Sequence, residues 1–127
     1  MSKPTVAILG ASTDRRKYGN KAVRAFLQQG YDVYPVNPKA VAIEGVPAYS
    51  SLAAVPVPLD RISVYLPPQI GLTMLEEIRQ KGAKEVWFNP GSDSPELLAK
   101  AEALGLAPIQ ACSIVGVGVS PHELPDE

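Results

Sequence analysis

The chain has 127 residues, one cysteine, one histidine and a formal net charge of −1. This length fits a single domain over residues 1–127, and the lone Cys112 excludes an internal disulfide. A zinc site needs three or four closely placed ligands, so no metal is expected. No apolar run approaches the ~18 residues of a membrane-spanning helix, and no targeting segment is evident. We therefore expect a cytoplasmic protein that binds neither membranes nor nucleic acid.

The small net charge hides an uneven distribution of charged side chains. The first 40 residues hold seven basic and two acidic side chains, and the remainder holds five basic and eleven acidic ones. A local excess of positive charge raises the local concentration of anionic ligands. The amino-terminal third is therefore the expected place for an anion, unless the charges cluster there by chance.

Strand-like and helix-like segments alternate along the chain. Apolar, β-branched runs predict main strands at residues 5–9, 32–37, 61–66, 85–89 and 108–111. Apolar residues at helical spacing predict helices between them, at residues 19–29, 68–81 and 95–104. The second helix is expected to bury Ile70, Met74, Leu75 and Ile78. The loop-rich segment 39–58 contains one further short strand, expected near 46–49.

This alternation predicts an α/β fold. Right-handed crossovers between the strands produce a mostly parallel sheet with helices on both faces. The expected architecture is a three-layer, Rossmann-type, doubly wound domain. Pro35 favours an edge position for the second strand, because proline cannot donate to a β-ladder. From about Ser113 the chain is rich in glycine, proline and acidic residues, and we expect the end of this tail to be loose.

The loop after the first strand has the composition of a phosphate-binding turn. Gly10 allows a sharp turn and a close approach to a ligand. Backbone amides between Ala11 and the start of the next helix can bind phosphate. Side chains of the same loop add hydroxyl groups and positive charge: Ser12, Thr13, Arg15, Arg16 and Lys17. The alternative is that Gly10 serves only a strand-to-helix turn.

The end of the second strand argues against NAD. Both the GxGxxG fingerprint and the GxxxxGK[ST] P-loop are absent. The acid that usually binds the ribose 2′-hydroxyl is replaced by Lys39, after Asn37 and Pro38. A basic group there suits a phosphorylated ribose, which both NADP and coenzyme A contain. On these residues alone both ligands stay open, as does a solvated loop lysine.

Four short motifs in a fixed order carry a family resemblance. They are GAS at 10–12, VNPK at 36–39, LPP at 66–68 and FNPG at 88–91. In this order they closely resemble the CoA-binding domain family, which also forms the amino-terminal part of the succinyl-CoA synthetase α subunit and of ADP-forming acyl-CoA synthetases. The resemblance runs from about Thr5 to Ile109. It implies coenzyme A as the ligand, with NADP as the alternative.

The resemblance also implies a role for each motif. The CoA phosphates would contact the first loop, at Gly10, Ala11, Ser12, Thr13, Arg16 and Lys17. The adenosine phosphate and ribose would lie by Asn37, Pro38 and Lys39. The adenine or the pantetheine arm would be flanked by Leu66, Pro67 and Pro68. The far side of the cleft would be lined by Asn89, Pro90 and Gly91.

A binding protein is favoured over an enzyme. The synthetases of the family carry a phosphorylated histidine and an ATP-grasp unit on other domains, whereas His122 falls in the expected tail. Glu76 and Glu77 are adjacent on a helix, so they diverge by ~100° and form no acid/base pair. We expect a non-catalytic CoA or acyl-CoA binding protein. The alternatives are a small NADP-binding oxidoreductase module and a regulatory subunit that acts by protein contact, as a homo-oligomer or with a partner.

Cys112 follows the last predicted strand, on the side where the cleft should lie. The Cys112 thiolate, attacking a CoA disulfide bound there, would form a mixed disulfide with one CoA and release the other CoA as its thiol. The alternative is a partly buried, inert thiol, since unpaired cysteines are among the most buried residue types. The sequence thus predicts thiol exchange at Cys112 as a narrower hypothesis.

Overall fold

The structure is a computed structural model that describes residues 3–127. Its strands are β1 (Thr5–Leu9), β2 (Asp32–Val36), β3 (Ala42–Ile43), β4 (Val46–Pro47), β5 (Leu59–Val64), β6 (Ala83–Phe88) and β7 (Pro108–Gln110). Its α-helices are α1 (Tyr18–Gln28), α2 (Pro68–Lys81), α3 (Pro95–Ala103) and α4 (Ser113–Gly116), with 3₁₀ turns at Leu52–Ala54 and Pro121–Glu123. The alternation of strands and helices predicted from the sequence is confirmed.

Five of the strands form one parallel sheet in the order β2-β1-β5-β6-β7. This is the 2-1-3-4-5 order of doubly wound proteins once the small β3–β4 hairpin is set aside. The predicted α/β fold is therefore confirmed, and β2 occupies the sheet edge that Pro35 favoured. Strand order reverses between β1 and β5, where ligands of such folds bind.

Two apolar layers cover the two faces of the sheet. Successive side chains of β1 point to opposite faces, so Val6 and Ile8 pack with α1 while Ala7 and Leu9 pack on the side of α2 and α3. All four are essentially inaccessible to solvent. The burial of β1 on both faces explains its continuous apolar sequence.

The buried face of α2 differs from the predicted one. Leu75 and Ile78 are buried as expected, but Met74 is only half-buried and Ile70 is 50% exposed. The helix instead presents Gly71 to α3, where an added Cβ would lie 2.9 Å from Leu97 Cδ1. This tight approach fixes the rotation of α2 and turns Ile70 away from the core.

The segment from Ser113, whose end is expected from the sequence to be loose, packs against the domain. The segment begins with α4 and buries Ile114, Val119 and Leu124 against α1. The Gln29 side chain donates to the carbonyl of Val117 (2.9 Å), and Lys21 pairs with Asp126. The three apolar side chains are spaced five residues apart among glycines and prolines, so they produce no helical or strand period.

The hairpin of β3 and β4 was only half predicted. The expected strand near 46–49 contains β4, but β3 was not foreseen. Glu44 and Gly45 connect the two strands with positive φ angles of 51° and 79°, which is the conformation of a tight hairpin turn. The buried Ile43 anchors the hairpin beside α1. None of the helices among residues 3–127 is long and apolar enough to cross a bilayer.

Candidate functional site

A cleft opens over the carboxyl ends of β1, β2, β5 and β6, at the reversal of strand order. It consists of three adjoining cavities of about 530, 330 and 220 Å³, here called the central, β2-side and α4-side cavities. The central cavity shares Gly10, Ala11, Asn37 and Leu66 with the β2-side cavity and Tyr18, Tyr65 and Pro90 with the α4-side cavity. The three cavities therefore form one continuous path along the sheet edge.

Most of the residues singled out in the sequence lie on this path. Those lining the central cavity are Gly10, Ala11, Ser12, Lys17, Asn37, Leu66, Pro67, Pro68, Pro90 and Gly91. Pro38 lines the β2-side cavity, and Asn89 and Cys112 line the α4-side cavity. Thr13, Arg16 and Lys39 are exposed and lie outside all three linings.

The turn after β1 is built on two glycines. Gly10 has a positive φ of 83°, and a Cβ there would overlap the carbonyl oxygen of Tyr65 on the neighbouring strand. A Cβ on Gly19 would overlap the carbonyl oxygen of Gly10. Gly19 allows the start of α1 to lie directly against the turn. The Tyr-Gly pair at 18–19 is the sequence feature that indicates this close approach.

Several backbone N–H groups of this turn have no acceptor among residues 3–127, and four of the residues that carry them line the central cavity: Ala11, Ser12, Tyr18 and Gly19. In the described chain, the N–H groups of residues 11–13 and of the first α1 residues, Tyr18 and Gly19, donate to no protein acceptor. The first N–H groups of a helix have no intrahelical partner and carry its positive dipole end. The region therefore favours an anionic ligand.

Only part of the basic charge in this loop is available to a ligand. Arg15 pairs with Glu44 (2.6 Å), and Arg16 pairs with Asp14 (2.9 Å). The hydrogen bond from the Arg16 side chain lowers the pKa of Asp14 to about 2, with the Arg16 backbone N–H adding to the effect. Lys17 and Lys39 have no carboxylate within ion-pair distance among residues 3–127.

A polar network beneath the loop was missed in the sequence. The buried Asn20 donates to the carbonyl of Ser12 (2.9 Å) and to Glu44 (3.0 Å). Arg24 donates to the Asn20 side chain (2.8 Å) and to the carbonyl of Arg15 (2.9 Å). These bonds fix the conformation of the turn after β1 from below. Asn20 and Arg24 lie on α1, whereas Glu44 lies at the turn of the β3–β4 hairpin, so no local sequence pattern predicts the network.

Asn37 joins the first and second loops of the cleft. Its side-chain N–H₂ donates to the carbonyl of Ala11 (2.9 Å). Its oxygen accepts from the backbone N–H groups of Lys39 (2.8 Å) and Ala40 (3.2 Å). The amide is thus largely committed to positioning the two loops, although the residue lines the cavity as its motif suggested.

The α4-side cavity rests on a buried chain of polar side chains. Asn89 donates to Ser63 Oγ (2.9 Å) and to the carbonyl of Val64 (2.8 Å), and its oxygen accepts from the Ser113 N–H (2.7 Å). Ser113 Oγ lies 2.6 Å from Ser63 Oγ and 3.1 Å from the Tyr65 hydroxyl. Burial raises the pKa of the Tyr65 phenol, so this group stays neutral. Asn89 therefore holds α4 in place as well as lining the cleft.

Fold and cleft together define a doubly wound α/β domain whose cleft lies at the switch point of the strand order. A family model described as a CoA binding domain matches residues 4–117. The chain therefore belongs to the CoA-binding domain family, which confirms the resemblance seen in the motifs.

The known proteins similar to this chain include much larger ligases and a solved protein of similar length. The α subunit of the ADP-forming acetate–CoA ligase II of Pyrococcus furiosus is 34% identical over 82 residues, covering 64% of this chain and 18% of that protein. The ADP-forming acetate–CoA ligase I of Archaeoglobus fulgidus is 30% identical over 111 residues, 80% of this chain and 16% of the ligase. A solved conserved hypothetical protein from Pyrococcus furiosus has a TM-score of 0.80 and 32% identity, covering 91% of this chain and 99% of that one. The chain thus spans less than a fifth of the ligases.

Proposed function

We propose that this protein binds coenzyme A or an acyl-CoA without catalysing a reaction, and that the phosphates lie at the turn after β1. The observation that carries the proposal combines Lys17, which has no carboxylate partner among residues 3–127, with backbone N–H groups that donate to no protein acceptor. These N–H groups belong to Ala11, Ser12, Tyr18 and Gly19, which line the same cavity as Lys17. Ammonium and backbone donors around one cavity suit a diphosphate. Membership of the CoA-binding domain family supports coenzyme A over NADP.

The adenosine would occupy the β2-side cavity. Its walls are largely apolar and include Val36, Leu66, Ile70 and Met74. The exposure of Ile70, unexpected for a core residue, is explained if it contacts an adenine ring. The exposed and unpaired Lys39 follows this cavity in the β2 loop and would bind the ribose 3′-phosphate that distinguishes coenzyme A from dephospho-CoA.

Binding is proposed because the family that matches residues 4–117 is described as a CoA binding domain. The Pyrococcus furiosus relative extends well beyond the matched 18%, so its whole activity is not transferred to this domain. The described residues also bring together no group of three or more His, Cys, Asp or Glu side chains suited to a metal ion.

A ligand-dependent shift in melting temperature tests the proposal. A ligand at 100 times its Kd stabilises the folded state by about 2.7 kcal/mol, which raises Tm by roughly 10 °C in a domain of this size. Coenzyme A should give this shift and dephospho-CoA a smaller one. In Lys39→Gln the two ligands should become equivalent, whereas Lys100→Gln, an exposed lysine outside all three cavities, should preserve their difference. Stabilisation by NADP without stabilisation by coenzyme A would refute the proposal.

A further inference from the structure

The α4-side cavity has the size of a small chemical group. It measures about 220 Å³, or room for about seven groups the size of a water molecule at roughly 30 Å³ each. Its walls are Tyr18, Tyr65, Asn89, Pro90, Cys112 and Pro121. It adjoins the central cavity at the end opposite the β2-side cavity. A ligand whose phosphates lie in the centre therefore reaches it with the arm that leads away from the nucleoside.

One wall of this cavity comes from outside the range matched by the family. The family model ends at residue 117, whereas Pro121 lies in the segment that follows. Leu124, buried to 2% exposure, and the ion pair of Lys21 with Asp126 (2.7 Å) fix this segment against α1. The closure of the cavity is thus a property of this chain's own carboxyl-terminal segment.

The hydrogen bonds among the buried polar side chains behind the cavity run in a defined order from donor to acceptor. Asn89 must turn its oxygen to the Ser113 N–H and its N–H₂ to the Val64 carbonyl, so it donates to Ser63. Ser63, Asn89 and Ser113 are at most 1% exposed, and a buried hydroxyl proton without an acceptor is costly.

Among the side-chain contacts at hydrogen-bond distance, only one arrangement gives both serine hydroxyl protons an acceptor. Ser63 donates to Ser113, and Ser113 donates to the Tyr65 oxygen. In either alternative order, one serine hydroxyl proton has no acceptor at hydrogen-bond distance among the described residues. The arrangement leaves one proton unused, that of the Tyr65 hydroxyl, and Tyr65 lines the α4-side cavity.

We propose that the α4-side cavity holds the thioester end of a short-chain acyl-CoA, whose carbonyl oxygen accepts a hydrogen bond from Tyr65. The inference rests on the proposed function, since the phosphates must lie in the central cavity. A carbonyl oxygen accepts this bond well, whereas a free thiol is a weak acceptor. The volume accommodates a thioester with an acyl chain of roughly two to four carbons.

Calorimetric titration of the full chain with four ligands tests this inference. Adenosine 3′,5′-bisphosphate reports on the nucleotide end alone, and CoA, butyryl-CoA and palmitoyl-CoA report on the α4-side cavity. Butyryl-CoA should bind about fivefold to tenfold more tightly than CoA, the range of one net hydrogen bond. Palmitoyl-CoA should bind more weakly than butyryl-CoA because its chain exceeds the cavity.

Tyr65→Phe should bring the ratio of butyryl-CoA to CoA affinity close to one, while the affinity for the bisphosphate stays within about twofold. Tyr34→Phe is the matched control, because it removes a hydroxyl from a half-buried ring that packs on Tyr49, away from the cavity, and should keep the ratio. Should Tyr65→Phe fail to fold, Cys112→Leu gives a second test. The larger side chain should weaken butyryl-CoA more than the bisphosphate, and Cys112→Ala should not.

Equal affinities of the wild-type chain for CoA and butyryl-CoA would overturn the inference and leave CoA binding intact. So would a ratio that survives in a folded Tyr65→Phe, or a Cys112→Leu variant that binds butyryl-CoA normally. If neither CoA nor the bisphosphate binds, the proposed function itself is wrong.

Discussion

The two ends of the cleft use opposite physical means to present hydrogen-bond donors. At the turn after β1 the donors are backbone N–H groups and the ammonium group of Lys17, which lie close together in sequence. At the α4 end the donor is a single neutral phenol, Tyr65, at the end of a buried chain through Ser113 and Ser63. The first arrangement is suited to charge and the second to a small uncharged acceptor. A ligand that spans the cleft would therefore be recognised in two parts, a charged part at the turn after β1 and an uncharged part at the α4 end.

Gly10→Ala should have the largest effect, because it deforms the charged end itself. Alanine would adopt a positive φ of 83° and overlap the Tyr65 carbonyl, which should cost about 2–4 kcal/mol of unfolding free energy and remove CoA binding. Gly30→Ala, with a φ of 81° but open space around it, should cost only about 1–2 kcal/mol. Urea denaturation measures both. Equal losses would show that the close approach at Gly10 is unimportant.

Asn89→Ala should destabilise the fold strongly at the neutral end. It leaves the Ser113 N–H and the Val64 carbonyl without their side-chain partner, at a cost of about 2–3 kcal/mol. Asn37→Ala, at the charged end, removes an amide from a half-exposed site and should cost about 1 kcal/mol. Urea denaturation should therefore show a larger loss of unfolding free energy for Asn89→Ala than for Asn37→Ala, and CoA titration measures the effect of each variant on binding. The idea of a buried anchor fails if Asn89→Ala is as stable as Asn37→Ala.

Lys17→Gln tests which cations of the charged end act on the ligand. A lost charged hydrogen bond should weaken CoA binding by about tenfold to a hundredfold. Arg16→Gln removes the same charge from the same loop, but Arg16 is exposed and paired with Asp14, so its effect should be about twofold. Titrations at two salt concentrations should show a smaller salt dependence for Lys17→Gln alone. A larger loss in Arg16→Gln would reverse this assignment.

Thiol exchange at Cys112 is the smallest expected effect. The half-buried thiol lines the α4-side cavity, so exposure to CoA disulfide should add the mass of one CoA to a minor fraction of the chain. The adduct should be absent from Cys112→Ser. An adduct on this variant would lie on a residue other than cysteine, because Cys112 is the single cysteine of the sequence. An intact-mass spectrum decides between them, and an adduct retained by Cys112→Ser would dismiss the hypothesis.

Sequence reasoning succeeded where neighbouring residues decide the structure. The strand that ends just before Gly10 and the start of α3 at Pro95 follow from local conformational preferences. Ser94 caps that helix by accepting a hydrogen bond from the Leu97 N–H (3.1 Å). Sequence reasoning missed the packing of the segment after Ser113, whose apolar residues have no regular period. It also failed for Ile70, because the rotation of α2 is set by contact with Leu97 of another helix.

The sequence by itself determined the doubly wound fold, the glycine turn and the family, because strand alternation and positive-φ glycines act over a few residues. Only the tertiary structure decided which groups of the cleft are available to a ligand. Arg15 forms an ion pair with Glu44, which lies 29 positions away at the tip of the β3–β4 hairpin. The hydroxyl proton of Tyr65 is available because Ser63, Asn89 and Ser113 bond to one another, although the bonded partners lie 24 to 50 positions apart in sequence. Availability depends on which partners the fold brings together, and sequence spacing carries no record of those pairings.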